Sequence, residues 1–271
     1  MSPDASPIAS DAPVLYACAG HVGVITLNRP SNRNSMTPDV LAAFPKAVAT
    51  ANADPNVRCV VITGTGNCFS AGADLKAQIQ TSTPGRPRMP HEKSFGMYTA
   101  FLSVLDIEVP VIAAMQGHAV GGGFGLSLVC DIRYANETAK YGANFARLGL
   151  HSGLGISYVL PRLVGVSKAA ELLFTGRLVR GAEAASMGLV SEALPEEEVL
   201  PRSMALAEEI ASAAPAAVRM MKKTLYRGLG WDVRGAALDE AYAQAATVDT
   251  ADFREGMAAL LEKRTPVFTG A

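Results

Sequence analysis

Two glycine-rich segments contain residue types suited to stabilising a negatively charged oxygen. The first is Phe69 to Lys76, with the sequence FSAGADLK, and the second is Gly117 to Gly125, with the sequence GHAVGGGFG. Each follows an apolar run that is typical of a strand, and its small residues leave backbone N–H groups free to face a ligand oxygen. Two such donors make an oxyanion hole, which stabilises charge developing on a carbonyl oxygen without any titratable side chain.

The glycine run from Gly121 to Gly125 has two alternative interpretations. A nucleotide-binding loop would require the spacing Gly-x-Gly-x-x-Gly, and here the last glycine falls one place early. The chain also lacks the Gly-Lys-Ser/Thr sequence of a P-loop. A purely structural role, in which the glycines let a helix and a strand pack closely, stays open for this segment taken by itself.

Composition limits the class of protein. The chain has 271 residues, of which 49% are hydrophobic and 18% charged, enough for one large domain or a domain with a helical extension. Its net charge is -1, from 24 basic and 25 acidic residues. This balance predicts no nucleic-acid partner and no attraction to an anionic membrane, so an anionic ligand must be met by local charges.

Cysteine usage and the N-terminus indicate a cytoplasmic protein. The four cysteines are scattered and lack the spacing of metal ligands, which predicts reduced thiols and no metal site. No segment approaches the roughly 20 apolar residues needed to span a bilayer. Residues 1–13 lack both a basic start and a continuous apolar run, so we expect a disordered lead-in rather than a secretory signal.

The elements that would position the glycine segments alternate between strand and helix. Thr37 and Pro38 predict a helix start, with Thr37 as N-cap, and the helix would run to about Ala53. Short βαβ spacing implies parallel strands and an α/β fold. The predicted strands are Val22 to Leu27, Arg58 to Thr63, Val109 to Met115 and Asp131 to Ala135.

The second half of the chain is predicted to be mainly helical. Residues 80–90 contain three prolines and cannot form regular structure, so they are either a loop that covers a ligand or a passive insertion. From about Ser167 onward, helical spacing of apolar residues predicts helices over 168–174, 197–212, 215–229, 231–248 and 250–264.

The order strand, loop, strand and glycine-opened helix, with these residues in it, resembles the crotonase (enoyl-CoA hydratase/isomerase) family. The resemblance extends from about Val22 to Phe268 and includes the sequences LNRP at Leu27 and RNSM at Arg33. It implies a stacked ββα spiral core over residues 14–200. It also implies a helical region over 201–271 that assembles the chain into a homotrimer or a dimer of trimers.

The resemblance implies a set of site residues. The backbone N–H groups of Ala73 and Gly122 match the two oxyanion-hole donors, which in this family face an acyl-CoA thioester. Coenzyme A then enters as part of the substrate, and no permanently bound cofactor or metal is expected. The residues that match coenzyme A contacts are Arg33, Ala71, Lys76 and Lys263, the last of these supplied to a neighbouring subunit.

Two departures from the family pattern bear on the reaction. Hydratases of the family use two glutamates as acid and base, and the matching positions here are Gly125 and Phe145, neither of which can transfer a proton. The sequence therefore favours other enolate chemistry, namely isomerisation, decarboxylation or hydrolysis. Two alternatives are an acyl-CoA-binding protein without catalysis and a true hydratase with an unrecognised base. Loss of both carboxylates should also open apolar volume beside Phe145, which predicts a preference for bulky or long acyl groups.

Three other residues are candidates for proton transfer. His151 lies in a glycine-bordered turn and titrates near neutrality when unperturbed. Asp74 directly follows Ala73, although a short carboxylate beside a tight turn commonly bonds nearby N–H groups instead. Tyr98 lies in a segment that precedes the strand at Val109, and helix packing is its alternative role.

Overall fold

The computed structural model of the protein describes residues 11–73, 97–148, 151–229 and 250–271. In these ranges the strands form two sheets. A six-stranded sheet is parallel except for its antiparallel first pair. Its strands, in spatial order, are β1 (Val14–Ala19), β2 (Val22–Leu27), β3 (Cys59–Gly64), β5 (Val111–Met115), β7 (Ile132–Asn136) and β10 (Glu192–Leu194).

A second sheet has four short strands in the order β4 (Cys68–Ser70), β6 (His118–Val120), β8 (Lys140–Gly142) and β9 (Val179–Arg180). Each of the parallel strands β3, β5 and β7 is followed within a few residues by a short strand of this second sheet. This repeated passage from one sheet to the other is the stacked ββα arrangement of a crotonase-like α/β spiral, as the sequence predicted.

Helices cover the two sheets and form the end of the chain. They are α1 (Pro38–Ala53), α2 (Gly122–Leu128), α3 (Ile156–Val164), α4 (Val166–Thr175), α5 (Gly181–Ser186), α6 (Glu196–Ala211), α7 (Pro215–Gly228) and α8 (Ala251–Glu262). No helix in the described ranges is both long and apolar enough to cross a membrane.

Most predicted elements are confirmed to within two residues at each end. Thr37 is the N-cap of α1, as predicted, and its backbone is extended, but its hydroxyl donates to Asp39 and not to the helix backbone. Several predictions fall on residues outside the described ranges, namely those for the proline-rich segment 80–90, the helix 231–248 and most of the N-terminal lead-in.

Two buried clusters lie on opposite faces of the six-stranded sheet. One face packs with α1 and the second sheet, and there the rings of Phe44 and Phe101 meet edge to face with centroids 5.0 Å apart. On the other face, Val199 and Ala207 of α6 pack against strand residues such as Val61. The domain boundary predicted between residues 200 and 201 falls inside α6, so this helix is shared between the two predicted regions.

Helix α7 is held to the core by a polar cluster around Asp131. Lys222 Nζ lies 2.9 Å from Asp131 Oδ2, and the side chains are 16% and 14% exposed. The Tyr226 hydroxyl donates to Asp131 Oδ1 at 2.6 Å, and the Val111 N–H donates to Asp131 Oδ2 at 2.7 Å. Asp131 therefore joins β5, β7 and α7, which is a structural role.

Candidate active site

The loop after β4 is fixed by hydrogen bonds to the loop after β2. Ala71 N–H donates to Arg33 O at 2.9 Å, and Met36 N–H donates to Gly72 O at 2.8 Å. The Ser70 hydroxyl is fully buried and donates to Asn34 O at 2.8 Å. Because these bonds engage three consecutive residues, the backbone leading to residue 73 has a defined course.

The loop after β2, to which these bonds are made, has an unusual backbone conformation. Arg33 and Asn34 both adopt left-handed conformations, with φ of 60° and 52°. Asparagine tolerates this region better than most residues because its side chain can bond the local backbone. The Asn34 side-chain oxygen accepts from the nearby Arg29 N–H, and its amide donates to two carbonyls distant in the chain, Thr65 O and Cys68 O. The sequence RNSM thus builds the support on which the first glycine segment lies.

The two glycine segments are in direct contact. Gly72 has a φ of +79°, and a Cβ added there would lie 2.6 Å from both Gly122 N and Val120 O. A Cβ at Gly123 would in turn collide with the Ser70 carbonyl. Only glycine fits at these two positions, which brings Ala73 beside the first turn of α2.

Two backbone N–H groups at this contact have no acceptor in the described part of the chain. Within the described ranges, the N–H groups of Ala73 and Gly122 donate to no protein acceptor, whereas Gly121 N–H donates to Gly142 O at 2.9 Å. The parallel bridge between Met36 and Ala73 uses the neighbouring Gly72 carbonyl and not the Ala73 N–H. Two unpaired donors on adjacent segments can hold one oxygen acceptor between them.

Hydrocarbon fills the space beside Gly125. A Cβ at this position would lie 2.7 Å from Leu154 Cβ and 3.4 Å from Ile156 Cγ1. Leu154 is 2% exposed and Ile156 is fully buried. The predicted apolar volume concerns the Phe145 side and stays a prediction, whereas on the Gly125 side Leu154 and Ile156 occupy the space.

The ring of Phe145 lies at the start of α2. Its Cζ atom is 3.7 Å from the position that a Cβ on Gly121 would take, and Asn144 Oδ1 is also 3.7 Å from it. Both residues belong to a 3-10 helix, Asn144–Leu148, and both are partly exposed. The position predicted to replace the second glutamate is thus close to the glycine segments and carries an aromatic face.

The comparison that decides the family is a match of the enoyl-CoA hydratase/isomerase family model to residues 18–271. The chain belongs to the enoyl-CoA hydratase/isomerase family. A relative from Thermus thermophilus, provisionally named an enoyl-CoA hydratase, is 39% identical over 249 residues, covering 92% of this chain and 98% of the relative.

Two solved structures to which the chain is similar show the same fold. The enoyl-CoA hydratase of Bacillus anthracis has a TM-score of 0.89 and 35% identity, with 96% of this chain and 100% of that chain covered. DspI of Pseudomonas aeruginosa has a TM-score of 0.87 and 30% identity, with 98% and 100% covered. The crotonase-like architecture predicted from the sequence is therefore confirmed.

Two of the three proton-transfer candidates lie at one loop of this family member. The Tyr98 hydroxyl touches the position that a Cβ on Gly153 would take, so the tyrosine packs against the loop that begins at His151. His151 is exposed, and its Nδ1 pairs with the Ser152 carbonyl at 2.7 Å. Asp74 lies outside the described residues. Catalytic roles for all three remain predictions.

The coenzyme A candidates are distributed over two parts of the chain. Arg33 is exposed and its carbonyl accepts from Ala71 N–H, so these two residues lie together at the edge of the first glycine segment. Lys263 is exposed and left-handed, with φ of 55°, directly after α8. Lys76 lies outside the described residues. Contacts of these residues with coenzyme A, and of Lys263 with a neighbouring subunit, remain predictions.

The buried cysteines are poor nucleophiles. Burial raises the pKa of the Cys68 thiol to about 11, and that of the Cys59 and Cys130 thiols to about 12. Cys68 Sγ also lies 3.1 Å from the His118 carbonyl. In the described part of the chain, no three His, Cys, Asp or Glu side chains come together in a way that could hold a metal ion.

Sequence reasoning missed the residues that surround the first turn of α2. Met36 lies directly against the position that a Cβ on Gly122 would take, and Leu154 Cδ1 is 3.3 Å from it. Neither residue has a reactive group, so no search for catalytic side chains finds them. The only sequence signal is the run of glycines itself, because helix residues without side chains leave room for a neighbour.

Proposed function

We propose that this protein binds an acyl-CoA thioester and stabilises a thioester enolate with the N–H groups of Ala73 and Gly122, without acting as an ordinary hydratase. The observation that supports the proposal most directly is the contact between Gly72 and Gly122. It brings the two segments together, and within the described residues neither the Ala73 N–H nor the Gly122 N–H donates to a protein acceptor. Loss of one such donor typically costs about 3 to 4 kcal/mol of transition-state stabilisation.

Coenzyme A would lie along the loop pair that supports these donors. Arg33 and Ala71 are joined by a hydrogen bond beside Ala73, so a cation is available at the edge of the site. A chain with a net charge of -1 needs such local cations to hold the coenzyme A phosphates. In this proposal Lys76 and Lys263 supply the remaining positive charge, with Lys263 acting on a neighbouring subunit of a homotrimer or dimer of trimers.

The reaction that fits the side chains is enolate chemistry other than hydration. Hydration requires one group to activate water and another to deliver a proton to the α-carbon. The matching positions are Gly125, which faces Leu154, and Phe145, which presents an aromatic ring. Isomerisation, decarboxylation or hydrolysis remain, with proton transfer by Tyr98, His151 or Asp74.

A second candidate function is acyl-CoA binding without turnover. It is favoured by the side chains that lie nearest to the first turn of α2 in the described residues, none of which titrates near neutral pH. These are Met36, Ser70, Asn144, Phe145, Leu154 and Ile156. The third candidate function is true hydration by an unrecognised base, and an experiment has to distinguish it from the other two.

The test uses crotonyl-CoA and trans-2-decenoyl-CoA with the purified protein. Hydration is followed by the loss of the conjugated thioester absorbance, and binding is measured in parallel by calorimetry. We expect binding of both ligands without hydration. Rapid hydration of either would contradict the proposed loss of acid/base catalysis, and absence of binding would contradict the acyl-CoA site itself.

Bound ligands that are not hydrated then separate catalysis from binding alone. Incubation with 3-enoyl-CoA, malonyl-CoA and saturated acyl-CoA thioesters tests isomerisation, decarboxylation and hydrolysis in turn. Turnover that is lost in Tyr98→Phe or His151→Gln while binding is retained would support an enzyme. Binding with no turnover of any of these would favour the non-catalytic alternative.

A further inference from the structure

Leu154 covers one face of α2 next to the proposed oxyanion donors. Its Cδ1 lies 3.3 Å from the position that a Cβ on Gly122 would take, and its Cβ lies 2.7 Å from the corresponding position on Gly125. Residues three apart on a helix share a face, so one leucine spans both positions. The side chain is 2% exposed and belongs to the larger buried cluster.

Leu154 is close enough to line the space that the acyl group of a ligand would occupy. A Cβ lies about 2.5 Å from its own backbone nitrogen, so Leu154 Cδ1 is within about 6 Å of Gly122 N. A thioester oxygen that accepts from Gly122 N–H lies about 3 Å from that nitrogen. The α-carbon of the acyl group is joined to the same carbonyl carbon, so an acyl chain that runs toward this face of α2 comes within contact distance of Leu154.

The backbone conformation of Leu154 would suit glycine better than leucine, which indicates that the leucine side chain has a role of its own. Its φ is 56°, in the left-handed region that leucine rarely adopts, and Gly155 follows with φ of 68°. Glycine would adopt this conformation without strain. The fold nevertheless places a large hydrocarbon group there, directly opposite a helix position that has no side chain.

We propose that Leu154 is a specificity-determining residue that admits acyl groups unbranched at the α-carbon and excludes those with an α-methyl branch. This inference rests on the proposed acyl-CoA site. An α-methyl group needs volume beside Gly122, where the Met36 sulfur and Leu154 Cδ1 both lie, and the buried surroundings leave the leucine little room to move. One methyl or methylene group in a close-fitting apolar site commonly changes discrimination by about 10- to 200-fold.

The test compares two isomeric ligands, butyryl-CoA and isobutyryl-CoA, which differ only in the branch at the α-carbon. Their dissociation constants are measured by calorimetry for the unmodified protein, for Leu154→Ala and for Leu154→Gly. Leu160→Ala is the matched control, because it removes the same atoms from a buried leucine of α3. Unfolding curves followed by circular dichroism show that each variant is folded.

We expect the unmodified protein to bind butyryl-CoA at least about tenfold more tightly than isobutyryl-CoA. Both Leu154 variants should reduce this ratio to threefold or less, mainly by binding isobutyryl-CoA more tightly, and Leu160→Ala should keep it. Leu154→Gly also suits the left-handed backbone, so it is the variant less prone to unfold.

Equal binding of the two isomers by the unmodified protein would overturn the proposal, and this measurement needs no variant. An unchanged ratio in the folded Leu154 variants would also overturn it, as would loss of binding to both isomers. If the unmodified protein binds neither isomer, the proposed function fails. Binding of butyryl-CoA would support the proposed acyl-CoA site. The ratio of the two dissociation constants would then test the role of Leu154.

Discussion

A Cβ on Gly72 would lie 2.6 Å from the backbone nitrogen of Gly122. This contact joins two loops that are about 50 residues apart in the chain and brings the segment that continues to Ala73 against the backbone of Gly122. The catalytic proposal depends on it, because any side chain at residue 72 must push the two donors apart.

Replacement of Gly72 by alanine should therefore both destabilise the fold and weaken ligand binding. The φ of +79° costs an alanine about 1 to 2 kcal/mol, and the collision with Gly122 adds to this. Gly20→Ala is the control, since its φ is +60° and no atom lies within 4 Å of the added Cβ. Urea unfolding should show a larger loss for Gly72→Ala. Equal losses would mean that the contact with Gly122 is not tight.

Gly125 and Leu154 should be energetically coupled. Alanine inside a helix normally stabilises it relative to glycine by about 1 kcal/mol. Here the added Cβ would lie 2.7 Å from Leu154 Cβ, so we expect Gly125→Ala to destabilise the protein by about 1 to 3 kcal/mol. In the background of Leu154→Gly the same change should cost much less. Additive effects in this double-mutant cycle would show that the two residues do not touch.

The polar cluster at Asp131 should make Lys222 important for stability. Removal of one partner from a largely buried ion pair leaves an uncompensated charge, which typically costs about 3 to 5 kcal/mol. Because the two side chains are 16% and 14% exposed, we expect Lys222→Met to cost about 3 kcal/mol, at the lower end. Lys223→Met changes an exposed neighbour and should cost less than about 0.5 kcal/mol. Similar unfolding midpoints for the two variants would contradict this role.

Alkylation should distinguish the exposed cysteine, Cys18, from the three buried cysteines, because only the exposed thiol is accessible in the native protein. Burial raises the pKa of the Cys68 thiol from 9.0 to about 11, so its thiolate is scarce at pH 8. Iodoacetamide should modify Cys18 in the native protein and all four cysteines after denaturation, as counted by mass spectrometry.

The raised thiol pKa values also predict a pH dependence of stability. An unfolded chain loses these thiol protons near pH 9, whereas the folded protein retains them to about pH 11 at Cys68 and about pH 12 at Cys59. The stabilisation is fully present below pH 9, and the free energy of unfolding should fall as the pH rises above it. A flat profile from pH 8 to 11 would contradict burial of these thiols.

Local patterns predicted four strands of the large sheet, most of the described helices and the glycine segments, because their periodicity and turn residues are set by neighbours in the sequence. The short strands of the second sheet and the helices α3 and α5 were not predicted. Thr37 shows a limit of such patterns, since Asp39 competes for its hydroxyl. The filling of the space at Gly125 could not be predicted, because Leu154 reaches it from almost 30 residues away through a left-handed backbone. The sequence could show that a carboxylate is missing, but only the packing shows what replaced it.

The most direct test of the central claim compares butyryl-CoA with butyl-CoA, the thioether that lacks the carbonyl oxygen. Two hydrogen bonds to that oxygen should contribute about 1 to 3 kcal/mol, so butyryl-CoA should bind about 5- to 150-fold more tightly in calorimetry. This result would show that the protein recognises the thioester oxygen. Equal affinities for the two ligands would contradict the proposed pair of donors at Ala73 and Gly122.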